Sequence, residues 1–200
     1  MTSPTPPAEP TYADRVYRSP GGIAGGALLL ALGLWLAGDA IVRGHGSAPW
    51  LALAGLLCGV PLVFAFTVRP AVFANDDRMR VRNPFRTITL PWAAVADVRA
   101  GYSSEVFDQG GTKYQLWSIP VSLRQRKKAA RAQGRASSTA SDDEPRTAAA
   151  DRTIRELREL AERGAGRDGA QGSVSVRWAY EVIAPAVAGA VLLVVLLSVT

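Results

Sequence analysis

The chain has one histidine and one cysteine, and these set the first limit on its chemistry. His45 lies in a short Gly-rich loop, and Cys58 lies inside an uncharged apolar run. An intramolecular disulfide is therefore excluded, and so is a zinc site built from Cys and His. Neither a Ser/His/Asp nor a Cys/His arrangement can be assembled. No Gly-rich loop with a phosphate-binding lysine follows a strand. The paired acids Asp76-Asp77 and Asp142-Asp143-Glu144 read as a turn and a linker. The expectation is no enzyme, no cofactor and no metal. What remains is cationic. Arg78, Arg80 and Arg82 alternate along one short segment, and Arg124, Arg126, Lys127, Lys128, Arg131 and Arg135 form a run without an acid. Near a membrane such residues attract anionic lipid, at about 1 kcal/mol each. The plainer reading is a solvated strand face and a topology signal. Nucleic acid is disfavoured, because no aromatics are interleaved with the basic run as a single-strand binder requires.

Three apolar segments must position these groups. Ile23 to Val42 is 20 residues long, about 30 Å as a helix, which matches the hydrocarbon core of a bilayer. Its one charge, Asp39, sits near the end. Trp50 to Val68 and Val182 to Val199 carry no charge. Trp50, Trp178 and Tyr180 flank the spans as interface residues do. The chain has 200 residues and a net charge of +6. Of its Lys and Arg, 20 lie between Arg69 and Arg177, against 13 acids there. That placement predicts a multi-pass protein of the cell membrane with the N-terminus in, a short hairpin out, the central region in the cytoplasm and the C-terminus outside. Small residues recur at helix-packing spacing (Gly21 with Gly25, Gly22 with Gly26, Gly55 with Gly59, Ala184 with Ala188) and offer contacts within or between chains. Pro61 and Pro185 predict kinks.

Residues 1–20 are Pro-rich and polar and read as a disordered arm before the 21–68 hairpin. After the second span the period changes to two. Short strands are expected from Val72, over Arg78 to Arg82, Thr87 to Leu90, Val95 to Arg99, Glu105 to Phe107, and Tyr114 to Val121. Asn75-Asp76-Asp77, Asn83-Pro84 and Asp108-Gln109-Gly110-Gly111 supply the turns. This is an antiparallel meander over 69–121. Residues 122–150 read as a basic, low-complexity insertion. Over 151–164 an amphipathic helix is expected, with Ile154, Leu157, Leu160 and Ala161 as its apolar stripe. Residues 165–181 read as a flexible linker to the third span, 182–200.

A strand meander closed by one amphipathic helix is the outline of a pleckstrin-homology-like (PH-like) domain. The motifs Arg69-Pro70, Val81-Arg82-Asn83-Pro84-Phe85-Arg86, Leu90-Pro91-Trp92, Val98-Arg99 and Tyr114-Gln115-Leu116-Trp117 resemble the bacterial PH domain of the low-molecular-weight protein antigen 6 type. That family occurs in actinobacterial membrane proteins, commonly after a two-span hairpin. The long insertion and the third span depart from its pattern. The resemblance implies a binding or scaffolding module and carries over no catalytic residue. The expected core is Met79, Val81, Ile88, Leu90, Trp92, Val98, Leu116 and Trp117, large apolar side chains that a small barrel buries. The expected architecture is thus three transmembrane helices plus a small cytoplasmic PH-like domain, an antiparallel β-meander or partial barrel with one C-terminal amphipathic helix. The expected role is an integral membrane protein whose module binds a protein partner or another copy of itself. Sensing of anionic lipid headgroups is the alternative.

Overall fold

The computed structural model describes residues 14–100, 103–119 and 144–199. The first 13 residues and the insertion with Arg124, Arg126, Lys127 and Lys128 lie outside the described residues.

Three helices are long and apolar enough to cross a membrane: α1 (Pro20–Arg43), α2 (Ala48–Thr67) and α4 (Tyr180–Val199). Ser19 caps α1 by accepting a hydrogen bond from the Gly22 amide at 3.2 Å, and Pro20 stands at a position that needs no N–H donor. Asp39 pairs with Arg43 one turn on, at 3.2 Å, so its charge is met on its own helix. The outward faces carry exposed apolar side chains such as Leu28, Trp35, Val194 and Leu197, as lipid-facing surfaces do.

The three helices form one bundle with α2 packed against both α1 and α4. Glycine sets the closest approaches. A Cβ on Gly26 would lie 2.0 Å from Thr67 Oγ1, and one on Gly189 would lie 2.3 Å from the Cys58 backbone nitrogen. The expected small-residue pairs divide accordingly. Gly22 and Gly26 face the end of α2, whereas Gly21, Gly25, Gly55 and Gly59 face open space. On α4 the buried stripe is Val182, Ala186 and Gly189, while Ala184 and Ala188 are exposed. Gly189 decides this, since only a residue without a side chain lets the two backbones meet there.

The soluble part is built from strands β1 (Arg15–Tyr17), β2 (Ala71–Ala74), β3 (Arg78–Arg82), β4 (Arg86–Pro91), β5 (Val95–Ala100), β6 (Ser104–Asp108), β7 (Lys113–Gln115) and β8 (Ser175–Trp178), with helix α3 (Glu144–Gly164) between β7 and β8. All pairings are antiparallel. One sheet runs β1-β2-β3-β4-β8 and the other β5-β6-β7. Period-two alternation points Val72, Met79, Val81, Ile88 and Leu90 inward, where they meet Val98 and Val106 of the second sheet and Leu116 just after it. Ile154, Leu157 and Leu160 of α3 complete this core.

Three sequence expectations change here. The arm is ordered at Arg15–Tyr17, which forms β1 on the free edge of β2. The linker contains β8, paired to β4, and a 3-10 turn at Asp168–Ala170. The closing helix starts at Glu144 rather than 151. Both extra strands are short and take their pairing from distant segments, so local periodicity cannot announce them. A consequence for connectivity follows. The strand β1 leads into α1, α2 leads into β2, and β8 leads into α4. The five-stranded sheet therefore needs segments that flank all three helices.

Docking of β1 has a measurable signature. Burial, with the Glu156 carboxylate beside it, pushes the Tyr17 hydroxyl from 10.0 up to about 12. Between those pH values the unfolded chain loses this proton while the folded chain keeps it. The Tyr17 contribution to stability is present below pH 10 and falls as pH rises through about 12. Tyr17→Phe should unfold less steeply with alkali than the parent chain over that range, as read by circular dichroism. Equal slopes would mean that Tyr17 is not held in the fold.

Candidate membrane-facing site

The junction between helices and sheet is built around the Asn83-Pro84-Phe85 turn. Asn83 is buried and donates from Nδ2 to the Gln115 carbonyl at 2.9 Å, which ties the β3–β4 turn to β7. Arg69, just after α2, has a side chain only 10% exposed. It donates to the Asn83 carbonyl at 3.2 Å and reaches Glu181, at the start of α4, at 2.9 Å. The Ala179 amide donates to the Phe85 carbonyl at 2.9 Å. Phe66 of α2 packs edge-on against Phe85 (5.3 Å between centroids) and Trp117 (5.5 Å). Here the expected core shifts. Met79, Val81, Ile88, Leu90, Trp92, Val98 and Leu116 are fully or almost fully buried, but Trp117 is 45% exposed. It lies past the end of β7 and packs on Phe66 of α2 instead of entering the core between the sheets.

The outer face of the five-stranded sheet carries the charge. Cross-strand partners share a face, so the register Ala71↔Arg82↔Thr87↔Arg177 places Arg82 and Arg177 in one rung across four strands. This rung lies at the helix end of the sheet. Arg78, which pairs with Pro91, lies four residues away, about 13 Å farther from the helices. Arg80 lies between them. Its guanidinium sits 4.8 Å from the Phe73 ring centroid and pairs with Asp14 at 3.1 Å. Arg82 sits over the same ring at 5.1 Å. Burial holds the Arg82 pKa below its ordinary value, and the like charges of Arg69, Arg80 and Arg18 add to this.

The three arginines of β3 thus share a face but differ in role. Arg82 feels the charges of Arg69, Arg80 and Arg18 and shares its rung with Arg177, Arg80 is matched by Asp14, and Arg78 stands apart. The sequence reading of the strand face left out Arg18 and Arg177. Their nearness to the spans is visible in the sequence, but their place beside Arg82 depends on the sheet register. At the other end of the sheet a cleft of about 140 Å³ is lined by Arg15, Asp76, Leu160, Arg163, Gly164 and Arg167. Arg15 there pairs with Glu156, and Arg167 with Asp76 and Asp77, so much of its positive charge is already met. Among the described residues no cluster of three or more His, Cys, Asp or Glu side chains could hold a metal.

The family model of the bacterial PH domain matches residues 69–170, half of the chain. The match takes in β2 to β7 and α3, and leaves β1, β8 and the three helices outside it. No curated protein and no solved structure gives a match. Two antiparallel sheets closed by an amphipathic helix, with the Asn83 turn and the Trp92 corner inside the matched region, agree with that assignment, and the chain belongs to the bacterial PH domain family.

Proposed function

We propose that this chain is a non-catalytic integral membrane protein whose PH domain serves as an interaction module at the inner surface of the cell membrane. One observation carries the reading: three strands of one sheet continue directly into three membrane-length helices. The sheet is thereby fixed against the bilayer, and a partner that binds it is recruited there. The Arg-rich composition of 69–177 supports the cytoplasmic side. By the order of the elements, β1 and the PH domain share that side and α4 ends on the other.

The partner in this reading is a protein, or a second copy of the chain, that adds to the open edge of β8. All four residues of β8 are exposed, including Val176 at 42% and Trp178 at 55%, and nothing pairs with its outer edge among the described residues. Such an edge accepts an extended segment through main-chain hydrogen bonds. A tagged full-length chain should retain a stoichiometric protein on detergent extraction from its host. Trp178→Lys in β8 should release that protein while the three helices stay intact. An eluate with no protein partner, or one unchanged by the edge variant, would sink this reading. A second reading, binding of anionic lipid, is favoured by the arginine rung beside the helix ends.

A further inference from the structure

The rung at the helix end of the sheet holds charge that the protein itself does not neutralise. Arg69 is matched by Glu181 and Arg80 by Asp14. Among the described residues neither Arg82 nor Arg177 has an ion-pair partner. Arg82 is also partly desolvated, and the like charges of Arg69, Arg80 and Arg18 outweigh the attraction of the Glu181 carboxylate, an arrangement that a bound anion relieves. The Phe73 ring beneath Arg82 restrains its guanidinium plane. Thr87 stands between Arg82 and Arg177 in the rung; its oxygen accepts from Arg69 Nη2 at 3.4 Å, which leaves the hydroxyl proton to donate on the same face. Two guanidinium forks beside a hydroxyl suit a phosphodiester, which accepts paired hydrogen bonds from a planar fork.

Position selects the source of that phosphodiester. Thr67 ends α2 and Ala71 begins the rung, so at most about 14 Å of extended chain separates them. The headgroup layer is about 5–7 Å deep on each side of the hydrocarbon, and arginine side chains reach back toward it. Aromatic side chains of the interface type, Trp178 and Tyr180, stand exposed at the same level.

We propose that Arg82, Thr87 and Arg177, with Arg18 beside them, seat the phosphodiester of an anionic phospholipid from the leaflet that holds the helix ends. The proposal rests on the membrane-apposed reading above and names its lipid partner. It excludes Arg78 from the site.

The test uses the delipidated full-length chain in detergent, titrated with phosphatidylglycerol and, separately, phosphatidylcholine, with bound lipid counted by native mass spectrometry. The parent chain should bind phosphatidylglycerol in preference. Arg82→Gln combined with Arg177→Gln should weaken that binding about thirtyfold, at roughly 1 kcal/mol for each arginine, and leave phosphatidylcholine unchanged. Arg78→Gln with Arg152→Gln removes the same charge elsewhere and should change binding less than twofold. Should the double Gln variant lose its native circular dichroism, Arg177→Gln alone and the Arg82→Lys/Arg177→Lys pair carry the test. The Lys pair keeps the charge and loses the forks, so an intermediate affinity is expected. Equal losses in the site and control variants would overturn the site, as would no loss in either. Both results would leave lipid binding itself standing. Equal binding of the two lipids by the parent chain would overturn the lipid reading as well. Displacement of the lipid by glycerol phosphate, or by an acidic peptide, at matching concentration would assign the rung to a soluble ligand and overturn the proposal.

Discussion

Trp92→Ala should cost the fold about 3–5 kcal/mol, the range for emptying a large buried aromatic site. Trp92 is fully buried in the 3-10 turn between β4 and β5. Its indole nitrogen donates to the Asn75 carbonyl at 2.8 Å, and its backbone amide donates to the Asp77 carbonyl at 3.1 Å. It also fills the space at the end of α3: a Cβ on Gly164 would lie 2.4 Å from Trp92 Cδ1. One ring thus joins the corner between the sheets, the β2–β3 turn and the end of the closing helix. The alanine variant removes the packing and leaves the Asn75 carbonyl without its donor. Trp92→Phe keeps most of the volume and loses only the donor, so about 1–3 kcal/mol is expected. Denaturant unfolding of the full chain in detergent, followed by near-UV circular dichroism, measures both. A loss below about 1 kcal/mol for the alanine variant would mean that the corner repacks without the ring.

The second large effect lies in the bundle. Gly189→Val should separate α4 from α2, because the added Cβ would meet the Cys58 nitrogen at 2.3 Å and the Cys58 Cα at 2.7 Å. Backbone atoms cannot swing aside as a side-chain tip can. The cost belongs at or above the upper end of the usual 1–3 kcal/mol for overpacking. Gly59→Val is the contrast. Nothing lies within 4 Å of a Cβ at Gly59, so a change within about 0.5 kcal/mol is expected. The damage at Gly189 should travel, since α4 continues from β8. Faster amide exchange at Val176 and Arg177 in Gly189→Val, with none in Gly59→Val, would show that helix packing supports the edge of the sheet. Unchanged exchange would mean that the strand holds its place on β4 alone.

Much of this architecture is legible in local patterns. The three long apolar runs carry a single charge, Asp39, and each forms a helix long and apolar enough to cross a membrane. Alternation places Met79 and Val81 opposite three arginines, and the structure has β3 at those residues. The stripe of Ile154, Leu157 and Leu160 needs a cover, and α3 finds it on the sheets. The motifs around Asn83 and Trp92 carried the family resemblance, and the family is the one matched. Each of these signals lies within one helix, one strand or one turn between neighbouring strands, where period and turn residues are set by neighbours in the chain.

The tertiary structure decided the rest. Three residues of β1 and four of β8 are too few to show a period, and their partners lie far away in the chain. Trp117 reads as core by its type, yet the strand ends before it and Phe66 receives it. The candidate site depends on these same long-range choices. Sequence alone determined that arginines alternate along β3 and flank the spans. Only the register between β3, β4 and β8 brought Arg82 and Arg177 into one rung, matched Arg80 with Asp14 and left Arg78 apart. A strand's own period fixes which face a side chain takes, whereas its neighbours on that face are fixed by pairing between distant segments.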